Sequence, residues 1–124
     1  VADILIVDDN PKDCDLLAEA LRREGHRARC LPNGRDALGA MVNRPPDLVV
    51  TDVYMPQMDG VTFVEIARAY LRFTDLPVVV MTAYPDSLAV NRLRELGVAA
   101  VIDKDARFLF KALAAVRAAL ARGA

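Results

Sequence analysis

Ile4-Leu5-Ile6-Val7-Asp8-Asp9 decides how the rest of the chain is read. Four apolar residues follow one another without polar alternation, and three of them are β-branched. That pattern belongs to a strand buried on both faces. Two carboxylates stand at its end. Similar runs recur at Leu48-Val49-Val50, Val78-Val79-Val80-Met81 and Ala99-Ala100-Val101-Ile102, with a weaker one at 28–31. Their starts lie about 20–30 residues apart, which leaves room for a helix between each pair.

The segments between the runs have helical periodicity. Cys14, Leu17, Ala18 and Leu21 fall on one helical face, within a first helix at 11–24, and Gly25 follows as a stop. Asp9 and Asn10 are its candidate caps. Asn33-Gly34 opens a second helix with Ala37, Leu38 and Met41 on one side, and Pro45-Pro46 ends it. Phe63, Ala67, Tyr70 and Leu71 mark the apolar face of a third, and Ala89, Leu93 and Leu96 that of a fourth. Leu109, Leu113, Val116 and Leu120 mark a fifth, whose Ala-rich end at 112–121 has high helix propensity. The expectation is one α/β domain over 1–124, five βα units in series around a parallel sheet. The helical end and the missing initiator Met favour a piece of a longer protein.

Composition narrows the function. The formal net charge of −1 does not suit a nucleic-acid module, and 54% hydrophobic residues do not suit a disordered tail. No apolar run approaches the roughly 20 residues of a membrane span. Val1-Ala2-Asp3 shows no secretory leader, so a cytoplasmic setting is expected. Cys14 and Cys30 show no metal-ligand spacing and read as reduced thiols. His26, the single histidine, lies in an expected loop or edge strand and is a poor triad candidate. Thirteen of the 17 acids are Asp, while only three of the 16 bases are Lys.

Ligands of open α/β sheets bind beyond the carboxyl ends of the strands. Asp8 and Asp9 follow the first run, Asp52 the third, Thr82 the fourth and Lys104 the fifth. Each alone has an ordinary explanation: a helix cap, a β-former, a solvated ammonium. Together, three carboxylates and one Lys leave a local charge of −2, which disfavours ionisation unless a cation is present. Hard oxygen ligands suit Mg²⁺, with Mn²⁺ as a substitute. Such a site accepts a phosphoryl group, and a carboxylate can act as the nucleophile.

With these residues in place, the chain resembles the receiver domains of two-component response regulators. The resemblance rests on Asp8-Asp9, the run Asp52-Val53-Tyr54-Met55-Pro56-Gln57-Met58-Asp59-Gly60, Met81-Thr82-Ala83, and Lys104. It implies a flavodoxin-like doubly wound (βα)5 fold with a five-stranded parallel sheet in order 2-1-3-4-5. It implies Asp52 as phosphoacceptor, with Asp9, Asp52 and the Tyr54 backbone carbonyl as direct metal ligands and Asp8 acting mainly through water. Thr82 and Lys104 would contact phosphoryl oxygens. Met55-Pro56 and Asp59-Gly60 would shape the loop behind the acceptor, Pro by fixing φ and Gly by permitting a turn. The implied partner is a sensor histidine kinase or histidine phosphotransfer protein, docking on the first helix. The implied output face is the fourth helix, fifth strand and fifth helix (87–120), with Val90, Phe108 and Phe110 as apolar candidates and homodimerisation as one use. The implied role is a signalling switch, with self-phosphorylation from a phosphodonor and slow autodephosphorylation as its only chemistry.

Two positions depart from the family. Val101 stands where an aromatic switch residue is usual, with Tyr84 and Phe108 as weak substitutes. Lys104-Asp105 replaces the usual Lys-Pro, so a trans bond is expected, with Asp105 free to cap the last helix. These departures motivate an alternative: a receiver-fold interaction module that phosphate does not switch. An Asp-nucleophile phosphohydrolase fits less well, because its two acids lie two residues apart after the first strand and it usually needs a cap domain. Tyr54 and Tyr84 each lie two residues past a site residue, and their bulk predicts a shielded, long-lived phosphorylated state.

Overall fold

A computed structural model describes residues 1–123 and leaves Ala124 outside the description. Five strands, β1 (Asp3–Val7), β2 (Arg27–Leu31), β3 (Leu48–Asp52), β4 (Val78–Thr82) and β5 (Ala100–Asp103), alternate with five helices. The helices are α1 (Pro11–Arg23), α2 (Gly34–Asn43), α3 (Gly60–Ala69), α4 (Leu88–Glu95) and α5 (Phe108–Gly123). All neighbouring strands pair in parallel, in the order β2-β1-β3-β4-β5. This is the expected flavodoxin-like order.

Alternation along the strands builds two cores, because successive side chains point to opposite faces. Ile4, Ile6, Leu48, Val50, Val79, Met81 and Ile102 pack with the buried faces of α1 and α5. Leu5, Val7, Val49, Val78 and Val80 pack on the other side with residues of α2, α3 and α4. Helices on both faces explain why the strands read as unbroken apolar runs.

Local signals set the helix ends. The Asn10 side chain accepts the backbone N–H of Lys12 and of Asp13, and Pro11 supplies the first helical residue. Asn10 is therefore the cap, and Asp9 is left to the site. Gly25 stops α1 at φ +90°, where the N–H of His26 reaches back to the carbonyl of Leu21. His26 Nδ1 accepts the N–H of Ala2 and ties down the start of β1.

Three expectations need correction. The third helix ends at Ala69, so Tyr70 and Leu71 leave its buried face. Tyr70 turns to extended backbone, and a short 3₁₀ turn at Leu71–Phe73 buries Phe73 while Leu71 is 94% exposed. Arg68 holds this turn by donating to the carbonyls of Phe73, Leu76, Leu96 and Gly97. Val90 is buried in the core, because the packed face of α4 is Val90 and Leu93. Asp105 closes the turn before α5, accepting the N–H of Arg107 and the ammonium of Lys111. The Lys104–Asp105 bond is trans, as expected.

Candidate functional site

Strand order places the acidic residues together. The chain passes from β1 to β2 on one side and then crosses to β3 on the other, so a crevice opens between the carboxyl ends of β1 and β3. Val7 pairs with Thr51, Asp52 with Met81, and Thr82 with Asp103. That register brings Asp8, Asp9, Asp52, Thr82 and Lys104 to one edge of the sheet.

Lys104 sits at the centre of the cluster. Its Nζ lies 2.6 Å from Asp8 Oδ2, 3.0 Å from Asp52 Oδ2 and 3.2 Å from Asp13 Oδ2. The Lys104 N–H also donates to the Thr82 carbonyl, which locks β5 beside β4 at the site. Burial alone would push the Lys104 ammonium down. The hydrogen bonds to Asp8 and Asp52 outweigh it and hold Lys104 above its ordinary value. Asp8 is fully buried at its side chain, and this desolvation raises its pKa against the opposing pull of Lys104 and of the Asn10 N–H.

Asp13 is the residue the sequence reading missed as part of the site. It lies in the first turn of α1, where an acid is also favoured by the helix N-terminus. Its contact with Lys104 depends on the seat of α1 against β1, β2 and α5. Four carboxylates against one ammonium leave a local charge of −3, more negative than the −2 expected from three.

Asp52 is held in place on both oxygens. Oδ1 accepts the Val53 N–H at 2.7 Å, and Oδ2 accepts from Lys104. Thr82 is completely buried, and its hydroxyl oxygen accepts the Tyr84 N–H at 3.0 Å. Asp9 is exposed, and among the described residues its carboxylate takes part in no hydrogen bond. Carboxylate oxygens of Asp8, Asp9 and Asp52 lie within 4.8 Å of one another. This all-oxygen donor set with strong negative charge fits a small hard divalent cation.

The loop behind Asp52 is tight for a different reason than expected. Gly60 has ordinary φ, and what it supplies is closeness: a Cβ there would lie 2.4 Å from the Asp52 carbonyl oxygen. Its N–H donates to the Val53 carbonyl at 2.6 Å. The left-handed turn falls at Gln57 (φ 70°), where the Met58 N–H closes onto the Pro56 carbonyl. Asp59 then caps α3 by accepting the Thr62 N–H.

Tyr54 and Tyr84 meet edge to face at the mouth of the site, with ring centroids 5.8 Å apart and planes at 80°. They line an open groove with Ala83, Pro85, Asp86 and Ser87. Val101 is half-buried against the core on the α2–α3–α4 side. Phe108 packs on the opposite side of the sheet, so it cannot stand in for the aromatic missing at Val101. Tyr84 is 65% exposed.

A family model described as "Response regulator receiver domain" matches residues 4–114. Among curated relatives, regulatory protein AtoC of Escherichia coli is 39% identical over 92 residues, covering 73% of this chain and 20% of AtoC. The chain thus spans a fifth of that relative's length. Among solved structures, the signal receiver domain of a signal transduction histidine kinase from Syntrophus aciditrophicus is 30% identical with TM-score 0.82. That match covers 94% of this chain and 89% of the other. Chemotaxis response regulator CheY4 of Vibrio cholerae shares the fold at TM-score 0.84 and 24% identity, covering 94% and 98%.

Proposed function

The chain belongs to the response regulator receiver domain family, and on that premise we propose that Asp52 accepts a phosphoryl group from a phosphohistidine donor. The observation that carries the reading is Lys104 Nζ, placed 2.6 Å from Asp8 and 3.0 Å from Asp52 at the centre of an acidic crevice. A carboxylate oxygen of Asp52 attacks phosphorus, the P–N bond of the donor breaks, and the imidazole nitrogen leaves. The product is an acyl phosphate on Asp52. The hydrogen bonds from Val53 and Lys104 orient the nucleophile before the donor arrives.

Lys104 pairs with one phosphoryl oxygen, and the Thr82 hydroxyl donates to another. Asp9, Asp52 and the Tyr54 backbone carbonyl would hold Mg²⁺ or Mn²⁺, with Asp8 acting through water. When bound, the ion supplies charge neutralisation for the phosphoryl oxygens. The donor is a sensor histidine kinase or histidine phosphotransfer protein that docks on α1, in a bacterial cytoplasm. The output surface is α4, β5 and α5, where Leu88 is 86% and Phe110 72% exposed. A second copy meeting that surface would form a homodimer.

Acetyl phosphate or phosphoramidate with Mg²⁺ tests this reading. The expected result is one phosphoryl group on the protein, dependent on the metal. No mass increase under conditions that label a control receiver would overturn it in favour of an interaction module that phosphate does not switch.

A further inference from the structure

The two cysteines come from different elements, α1 and β2, and line the same cavity. Ile6 and Cys30 are register partners in the paired strands β1 and β2, so their side chains share a face of the sheet. Ile6 belongs to the core covered by α1, and Cys14 lies in that same core. Cys14 Sγ also sits 3.9 Å from the Ile6 carbonyl oxygen. α1 packs against β2, which brings the two thiols to the same side of the sheet. Both line a cavity of about 220 Å³, together with Asp8, Asp9, Pro11 and Leu31. Cys30 is exposed and Cys14 is buried.

We propose that Cys14 and Cys30 form an oxidative modification site, at which a hydroperoxide converts the two thiols into a disulfide that ties α1 to β2. The exposed Cys30 sulfur attacks a peroxide oxygen and the O–O bond breaks. With hydrogen peroxide this gives a sulfenic acid and one water. The Cys14 sulfur then attacks the Cys30 sulfur, the S–S bond forms as the S–O bond breaks, and the hydroxyl leaves with the Cys14 thiol proton as a second water. The pair loses two electrons and the peroxide gains them. Exposure favours Cys30 as the first to react, since the oxidant reaches it and not Cys14. Burial keeps Cys14 from the oxidant until a sulfenic acid forms beside it. The bridge lies on the wall of the cavity that Asp8 and Asp9 share, so it fixes the start of α1 next to the acidic crevice.

The test needs neither metal nor phosphodonor, so it stands apart from the phosphoacceptor reading. The folded protein is treated with one equivalent of hydrogen peroxide and its intact mass and thiol alkylation are followed. The expected product is a monomer lighter by two hydrogens, with both cysteines closed to alkylation after denaturation and reopened by dithiothreitol. Its unfolding midpoint should rise by roughly 10 °C, because a loop of about 16 residues has been closed. Cys14→Ala should instead gain oxygen at Cys30 and lose no hydrogens. A wild-type product that gains oxygen at Cys30 while Cys14 stays alkylable would overturn the proposal, as would a dimer linked through Cys30. So would pairing that runs as fast in concentrated guanidinium as in the folded protein.

Discussion

Asp8 and Asp9 are neighbours in sequence with opposite environments. Asp8 is buried and engaged on both oxygens, by the Asn10 N–H and by Lys104. Asp9 is exposed and open to a ligand. Asp9→Asn should therefore weaken Mg²⁺ binding about tenfold or more, by removing a charged ligand that has no other partner to lose. Titration calorimetry measures this, and an unchanged affinity would remove Asp9 from the metal site. Asp8 carries a pH signature. Its folded pKa is raised above the ordinary 3.8, so the folded state holds that proton more tightly than the unfolded chain. The associated stability is present below pH 3.8 and is lost as pH rises through the folded value. In metal-free protein, the midpoint of Asp8→Asn relative to wild type should rise across that window. A difference that stays flat with pH would contradict the assignment to burial.

At the scale of elements, the β3–α3 and β4–α4 connections frame Asp52. Gly60→Ala places a Cβ against the Asp52 carbonyl, where backbone must move. The cost should be about 2 kcal/mol, read as a lower midpoint in chemical denaturation. A neutral effect would mean that the loop yields easily. The Tyr54–Tyr84 pair joins the same two connections over the mouth of the site. Tyr54→Ala or Tyr84→Ala should speed loss of the phosphoryl group severalfold, by opening the path for water. Equal dephosphorylation rates in both variants and wild type would show that the rings only fill surface. Much of this was legible locally. Asn10, Asn33 and Gly25 mark helix ends by chemistry that acts within a few residues. Tyr70 and Leu71 were misread because their spacing matches a helical face, while the chain leaves the helix one residue after Ala69 to bury Phe73.

At the scale of the whole molecule, the β-branched runs mark four of the five strands and show that helices cover both faces, while β2 holds no β-branched residue and reads weakly. The candidate residues Asp8, Asp9, Asp52, Thr82 and Lys104 could be picked out because each stands at or just past the end of a run. Contacts between distant elements were not. Asp13 reads as an ordinary first-turn acid until α1 packs beside Lys104. Val90 reads as a surface residue until α4 turns it inward. Cys14 and Cys30 show no motif, because only the β1–β2 register and the seat of α1 bring them together. The same assembly sets the function, since the crevice exists only where the chain crosses between β1 and β3. Asp52 is the proposed acceptor in that crevice. Intact mass after incubation with acetyl phosphate and Mg²⁺ tests this on wild type and Asp52→Asn side by side. Wild type should gain one phosphoryl group and Asp52→Asn none, and a phosphoryl group on Asp52→Asn would show that another residue is the acceptor.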